Sequence, residues 1–414
     1  MNIHAQHDAR AQANALPLAA IDVSNPHYYK DDTIGFYFDR LRREAPVHVF
    51  ENERFGRFWS VTRYKDILHV DSNHAVFSSA QGITISNPIP GLPRSGFIAM
   101  DPPEHDVQRK TVSPIVAPGN LALLEHTIRA RVCAILDALP RGETFNWVDR
   151  VSIELTTQML ATLFDFPFED RHLLTYWSDV ATADITAGGF IDSNEKRIAE
   201  LGKCLDYFMR LWNARVNARE PGADLISMLA HGATTRHMTP SELLGNLMLL
   251  IVGGNDTTRN SLTGGVYFLS RNPDEWGKLR ADPSLIPNMV SEIIRYQTPL
   301  SHMRRTTLVD TEVAGVSIPA GEKVVMWYAS GNRDEEAIEN PNAFLIDRAR
   351  ARQHLSFGFG IHRCVGNRLA ELQLRITWEE ILARGLDITV EGEPERIYSN
   401  FVRGYATLPV RIAA

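Results

Sequence analysis

The chain has 414 residues with 43 Lys+Arg against 50 Asp+Glu, a net charge of -7, and it is 44% hydrophobic and 22% charged. That is the composition of a globule, and it excludes a disordered chain and a basic nucleic-acid binder. The three cysteines, Cys133, Cys204 and Cys364, are too few and too scattered for a disulfide framework.

The first residues, 1–30, with Pro17 and Pro26, read as an arm. Met1 to Asn14 is polar and lacks the regions of a signal peptide, so a cytoplasmic protein is expected. No linker, repeat or low-complexity tract marks a boundary, and 1–414 reads as one domain. Phe36 to Arg43 is predicted helical, Phe58 to Thr62 a strand by alternation, and Lys65 to Val70 a helix. Gln81 to Phe97 is a long connection containing Pro88, Pro90 and Pro93, and Arg94 is its only charge. Its apolar residues Ile83, Ile85, Ile89 and Leu92 suit a lid over an apolar cavity or a loop packing on itself.

Helical patterns dominate from Asn120 to Leu382. Cys133 and Cys204 fall in them and read as inert core residues. Thr239-Pro240-Ser241-Glu242 supplies an N-cap, a first-turn proline and a capping-box glutamate. The helix it starts is predicted to run to Asn272-Pro273, about 30 residues or roughly 45–50 Å. Its N-terminal half is apolar almost all round and is expected to be buried. The longest apolar run, Leu247 to Val252, is far short of a membrane span. Strand signals return at Lys323 to Trp327, after the turn Pro319-Ala320-Gly321, and at the C-terminus. The expected class is mainly α with minor β.

The most informative stretch is Phe357-Gly358-Phe359-Gly360-Ile361-His362-Arg363-Cys364-Val365-Gly366, just before the helical pattern Asn367 to Leu382. Glycines permit close backbone approach. A cysteine near a helix N-terminus meets free N–H groups and a dipole that favour its thiolate. An isolated cysteine in a glycine-rich turn is usually a buried structural residue. Here an aromatic, two glycines, a basic residue, the cysteine and a further glycine occur together. The segment resembles the haem-binding signature of the cytochrome P450 family. Haem b is then the implied cofactor, Cys364 its iron ligand, and dioxygen a substrate, since a thiolate on haem iron favours O–O cleavage. Phe357, Gly358 and Gly366 would flank the macrocycle, and His362 would reach a haem propionate.

The resemblance extends from Phe36 onward. Glu292-Ile293-Ile294-Arg295 matches the family's Glu-x-x-Arg, whose spacing puts both charges on one helix face. Arg348 would complete a buried ion network. His105 and Arg109, on one face of a helix after Met100-Asp101-Pro102-Pro103-Glu104, match propionate-binding positions. So do Arg305 and His354. Without the family context each is as readily a solvated basic residue.

The long helix carries Gly253-Gly254-Asn255-Asp256-Thr257-Thr258. Two mid-helix glycines cost roughly 1 kcal/mol each relative to alanine, so a local reason is expected: a groove for dioxygen, or a helix-packing contact. Asp256-Thr257 matches the family's acid–alcohol pair. The resemblance implies that Thr257 hydrogen-bonds where dioxygen is activated and that Asp256 relays protons from solvent. A solvated face is the plainer alternative for the pair, and Thr258 is the alternative hydroxyl.

By position in the family, the substrate pocket is expected to draw on Ile83, Ile85, Leu249, Val252, Gly253, Leu300, Met303, Phe401 and Val402. The set is almost wholly apolar, with no obvious arginine to hold a carboxylate. Gly245 to Thr258, Ser301 to Arg305, Val325 to Tyr328 and Asn400 to Tyr405 resemble the bacterial soluble medium-chain alkane hydroxylases of this family. That implies terminal hydroxylation of a linear hydrophobic small molecule. A fatty acid, terpene or steroid is the alternative substrate of the same fold. A haem sensor without turnover would need no proton relay. No redox domain shares the chain, so electrons are expected from a ferredoxin and an NAD(P)H-dependent reductase, docking where Arg363, Arg352, Lys110 and Arg109 cluster. A hydrolase is disfavoured, because neither Gly-x-Ser-x-Gly nor His-Glu-x-x-His occurs.

Overall fold

The structure is a computed structural model that describes residues 3–93 and 96–414; Arg94, the one charge of the long connection, lies outside them. It is mainly helical with small sheets, as expected. The capping box forms as read: Thr239 accepts from Glu242 N–H, Glu242 reaches back to the N-cap, and the helix Pro240–Arg271 runs 32 residues. At 1.5 Å per residue that is about 48 Å. Helices Glu154–Phe164, His172–Thr182, Asn194–Val216, Ile286–Gln297 and Asn367–Ala383 pack around it. No described helix is long and apolar enough to cross a membrane.

The N-terminal half of the long helix is largely buried, as expected, but not all round. Leu243 to Met248 and Ile251 are buried, but Leu249, Leu250 and Val252 are only partly so. The longest continuously buried stretch is Thr258 to Val266, which includes Arg259, Asn260, Ser261 and Thr263. The apolar half borders a cavity, while the polar half threads the core and returns several of its side-chain hydrogen bonds to its own backbone. Thr263 Oγ1, for example, bonds Arg259 O at 3.1 Å and Ser152 Oγ at 2.8 Å.

The strand at Phe58 is Gly56–Val61, hairpinned with Val47–Asn52. It pairs in parallel with Lys323–Met326, which pairs with Met303–Thr307, which ends on Phe77–Ser78. Met303–Thr307 escaped the sequence reading because four of its five residues are buried, two of them arginines, so no alternation shows. The expected arm is also more ordered than read. Ile3–Ala15 and Pro26–Lys30 are helices. Ala13, Ile21, Val23 and Tyr29 join a core with Tyr37, Phe38 and Trp327. Arg40 fastens the arm by donating to Ala13 O at 2.8 Å. Cys204 is buried, but Cys133 is not a core residue. Half-buried, it donates from Sγ to Glu380 Oε2 at 3.3 Å.

Candidate active site

A cavity of about 520 Å³ lies between the middle of the long helix and the cysteine loop. Cys364, Val365, Gly366, Phe357 and Gly358 form one wall, and Gly253, Gly254, Thr257 and Thr258 another. The loop is shaped by two left-handed glycines, Gly358 at φ 65° and Gly360 at φ 64°. A Cβ at Gly360 would sit 2.6 Å from Asp71 O, so no larger residue fits. Cys364 N–H donates to Phe357 O at 2.8 Å, and the helix Asn367–Ala383 begins just beyond. Burial pushes the Cys364 thiol up; the N–H groups of Gly366 and Asn367 and the charges of Arg109 and Arg363 oppose it. The helix terminus thus favours the thiolate, as expected, but does not outweigh enclosure by protein. Cys364 nonetheless lines the cavity.

Asp71 organises this loop and went unnoticed in the sequence. Its carboxylate accepts from Arg305 Nη2 at 2.7 Å, Tyr328 OH at 2.7 Å and Phe359 N–H at 2.8 Å. No local pattern marks an aspartate whose partners lie hundreds of residues away.

Beside the loop, the ring of His362 is 4.4 Å from that of His105. Both His362 nitrogens and His105 Nε2 are buried without a protein partner. Arg109, Arg305 and His362 line the cavity. Buried polar atoms are normally satisfied. A cluster of orphaned imidazole nitrogens and arginines beside a glycine-cradled cysteine suits a flat macrocycle with two carboxylates. His354 is buried with an orphaned Nδ1, but it stands off the cavity wall behind Phe357, ring centroids 5.3 Å apart. The Glu-x-x-Arg pair and Arg348 form the expected network. Arg295 donates to Glu292 at 2.7 and 2.8 Å, and Arg348 Nε donates to it at 3.0 Å.

The two glycines of the long helix divide the alternatives between them. A Cβ at Gly253 would meet nothing within 4 Å, whereas one at Gly254 would meet Leu160 at 2.8 Å. Gly253 opens space and Gly254 is a packing contact. Thr257 lines the cavity and donates from Oγ1 to Gly253 O at 3.0 Å. Asp256 is fully buried and off the cavity wall, so the pair is no solvated face. Its Oδ2 accepts from Ser178 at 3.1 Å. Arg259 Nη2 lies 2.6 Å from its Oδ1, yet off the hydrogen-bond direction, so Oδ1 has no directed donor. Arg259 also donates at 3.0 Å to Asp179, whose side chain is 37% exposed. Burial raises the Asp179 pKa, and Arg259 opposes it.

Ile83, Ile85, Leu249, Val252, Leu300, Met303 and Phe401 line the cavity. Val402 does not: it pairs by backbone with Leu300 and is buried beneath. His302 binds the lining segments together. Its Nε2 accepts from Ile85 N–H at 3.1 Å and its Nδ1 lies 3.2 Å from Asn400 O. The wall is less purely apolar than the sequence suggested. Arg54, Asp184 and Arg197 also line it, correcting the expectation that no arginine was available. Arg109, on the cavity wall, donates to Arg363 O, and Lys110, Arg352 and Arg363 are exposed. Arg352 is paired with Glu371 at 3.3 Å.

Residues 195–404 match the family model for cytochrome P450. A solved cytochrome P450-153 from Novosphingobium aromaticivorans is 48% identical, with TM-score 0.87, covering 94% of this chain and 99% of its own. CYP153D17 from a Sphingomonas species is 49% identical, with TM-score 0.89 over 95% and 99%. A linalool 8-monooxygenase from Pseudomonas putida is 36% identical over 94% of this chain and 98% of its own. With its fold, its cysteine loop and these relatives in agreement, the chain belongs to the cytochrome P450 family and is a haem-dependent monooxygenase.

Proposed function

We propose that the chain hydroxylates the terminal carbon of a medium-chain alkane or related linear compound. The observation that carries this reading is the apolar lining that Ile83, Leu249, Val252, Leu300, Met303 and Phe401 give the cavity shared with Gly253 and Cys364. Such a wall offers dispersion and exclusion of water but nothing to grip a polar group. The local likeness to the soluble alkane hydroxylases supports it. Cys364 would hold the haem iron, and His105, His362, Arg109 and Arg305 the propionates. Haem bound there supplies the activation of dioxygen with two electrons. The protein orients the chain end, offers the Thr257 hydroxyl at the cavity, and holds at Asp256 a carboxylate that connects through Arg259 to Asp179 at the surface.

Titrating the ferric holoenzyme with n-octane tests this. A saturating low-spin to high-spin shift of the Soret band supports the linear substrate. No shift with octane but a full shift with linalool overturns it in favour of a terpenoid, the reading that the 36% identical linalool 8-monooxygenase supports.

Electrons would come from a ferredoxin, served by an NAD(P)H-dependent reductase, docking at Arg363, Lys110, Arg352 and Arg109. Arg363→Glu is expected to slow reduction by a ferredoxin while leaving the octane titration unchanged. An unaltered reduction rate would remove this docking site.

A further inference from the structure

The cavity wall carries three charges that the reaction does not use. Arg54 sits in the turn joining strands Val47–Asn52 and Gly56–Val61. Asp184 follows the helix His172–Thr182, and Arg197 lies in the helix Asn194–Val216. Arg54 Nη2 lies 2.8 Å from Asp184 Oδ1 as an ion pair without a directed hydrogen bond, with the arginine side chain 37% exposed and the aspartate 6%, while Arg54 Nη1 donates to Thr186 Oγ1 at 3.4 Å. The pair therefore closes part of the rim, where the wall reaches solvent. It ties the N-terminal hairpin to a segment far along the chain. Thr186 fixes the carboxylate, donating to Oδ1 from N–H at 2.9 Å and from Oγ1 at 2.7 Å. Arg197 ends the helix before it, donating to Val180 O at 3.2 Å, to Asn194 Oδ1 at 3.1 Å and to Ala183 O. Asp184 is the carboxylate that acts electrostatically on Arg197. One aspartate thus stands against two arginines at the rim, away from the cysteine loop.

We propose that Asp184 is a specificity-determining residue: its carboxylate occupies Arg54 in place of a substrate carboxylate, so the cavity favours linear chains with an uncharged end and disfavours their carboxylic acids. This rests on the linear-substrate reading above and extends it to the end of the chain held at the rim. An arginine pairs with a planar carboxylate by directed, charge-assisted hydrogen bonds. An acid entering the cavity must displace Asp184 or lie beside it with like charge. Removing the aspartate charge while keeping its shape frees Arg54, since Arg197 stays held by Val180 O, Asn194 and Ala183 O, and raises the relative affinity for acids.

The test titrates three holoenzymes, wild type, Asp184→Asn and Arg54→Gln/Asp184→Asn, with n-octane and octanoate at low salt, following the Soret shift. The readout is the ratio of octanoate to octane affinity, which cancels any general change in the cavity. Asp184→Asn is expected to raise it about five-fold, the scale of a partly exposed ion pair, and the double variant to return it to the wild-type value. An unchanged ratio in Asp184→Asn overturns the proposal, as does a gain that survives the loss of Arg54. If octane and octanoate both leave the wild-type spectrum unmoved while linalool shifts it, the linear reading has failed by itself. The same variants are then compared with citronellol and citronellic acid, judged by the same ratio.

Discussion

Two buried arginine–carboxylate systems, each built on an i, i+3 spacing within a helix, behave as opposites. At Glu292–Arg295, every guanidinium nitrogen has a directed acceptor. Nε and Nη2 go to Glu292, Nη1 to Asn332 O and Pro341 O, and Nη2 also to Ala343 O. Arg348 and the Leu345 N–H complete the glutamate. At Asp256–Arg259, one carboxylate oxygen lacks a directed donor, Arg259 Nε lacks an acceptor, and the outer partner Asp179 reaches solvent. A saturated network has one arrangement and acts as scaffold. An under-satisfied one has others of similar energy, which is what a group passing protons between solvent and a dry cavity requires.

Breaking the saturated network has the largest expected effect. Glu292→Ala leaves Arg295 as an uncompensated buried charge, a loss of about 3–5 kcal/mol. Urea unfolding of the holoprotein is expected to show it as a lower midpoint, together with haem loss. If unfolding is unchanged, the network is not scaffold. Asp256→Asn belongs to the other class. It is nearly isosteric, and the fold is expected to survive, while product formation falls by about 100-fold, the lower end of what a positioned proton-transfer group contributes. Thr257→Ala is expected to keep oxygen consumption but release peroxide in place of product. Full coupling would remove the role given to the Thr257 hydroxyl.

A buried group with no charge partner sharpens the contrast further. His302 is fully buried and its pKa is lowered from 6.5 to about 3, chiefly by burial. It therefore stays neutral in the fold while the unfolded chain protonates. The stabilising effect is complete above about pH 6.5 and is lost as pH falls toward 3, at roughly 1.4 kcal/mol per pH unit. His302→Gln is expected to flatten that part of the stability curve. Because His302 ties Ile85 to Asn400, the ratio of terminal to subterminal octanol is expected to fall as well. An acid limb as steep as in the wild type would show that the depression lies elsewhere.

The sequence exposed what is written within a few residues. The capping box of the long helix, the cysteine loop, Glu292–Arg295 and Asp256–Thr257 all have their partners, or their backbone demands, close at hand. It hid what depends on distant chain segments. Asp71 meets Arg305 across 234 positions, and nothing near residue 71 announces that. Arg54 and Asp184 each look like solvated surface residues until the fold sets them on one rim. The burial of the polar half of the long helix is hidden for a related reason. Hydropathy cannot see that Asn260, Ser261 and Thr263 return their own hydrogen bonds to the backbone one turn before them, which makes burial tolerable.

The smallest change decides most cleanly which class the Asp256 system belongs to. Ser178 Oγ is its neutral donor, 3.1 Å from Asp256 Oδ2, on a helix that packs directly against the long one. Ser178→Ala removes that bond and little volume, at a cost of about 1 kcal/mol for a typical net hydrogen bond. In a scaffold that cost appears as lost stability, and turnover is untouched. In a relay it appears as a change in how Asp256 is held while it exchanges a proton, and turnover falls several-fold. The expected result is slower product formation with a melting temperature within a few degrees of wild type. A lower melting temperature with unchanged turnover would place Asp256, Arg259 and Asp179 beside Glu292 and Arg295 as architecture, and the proton would then have to reach the cavity by way of Thr257 and solvent alone.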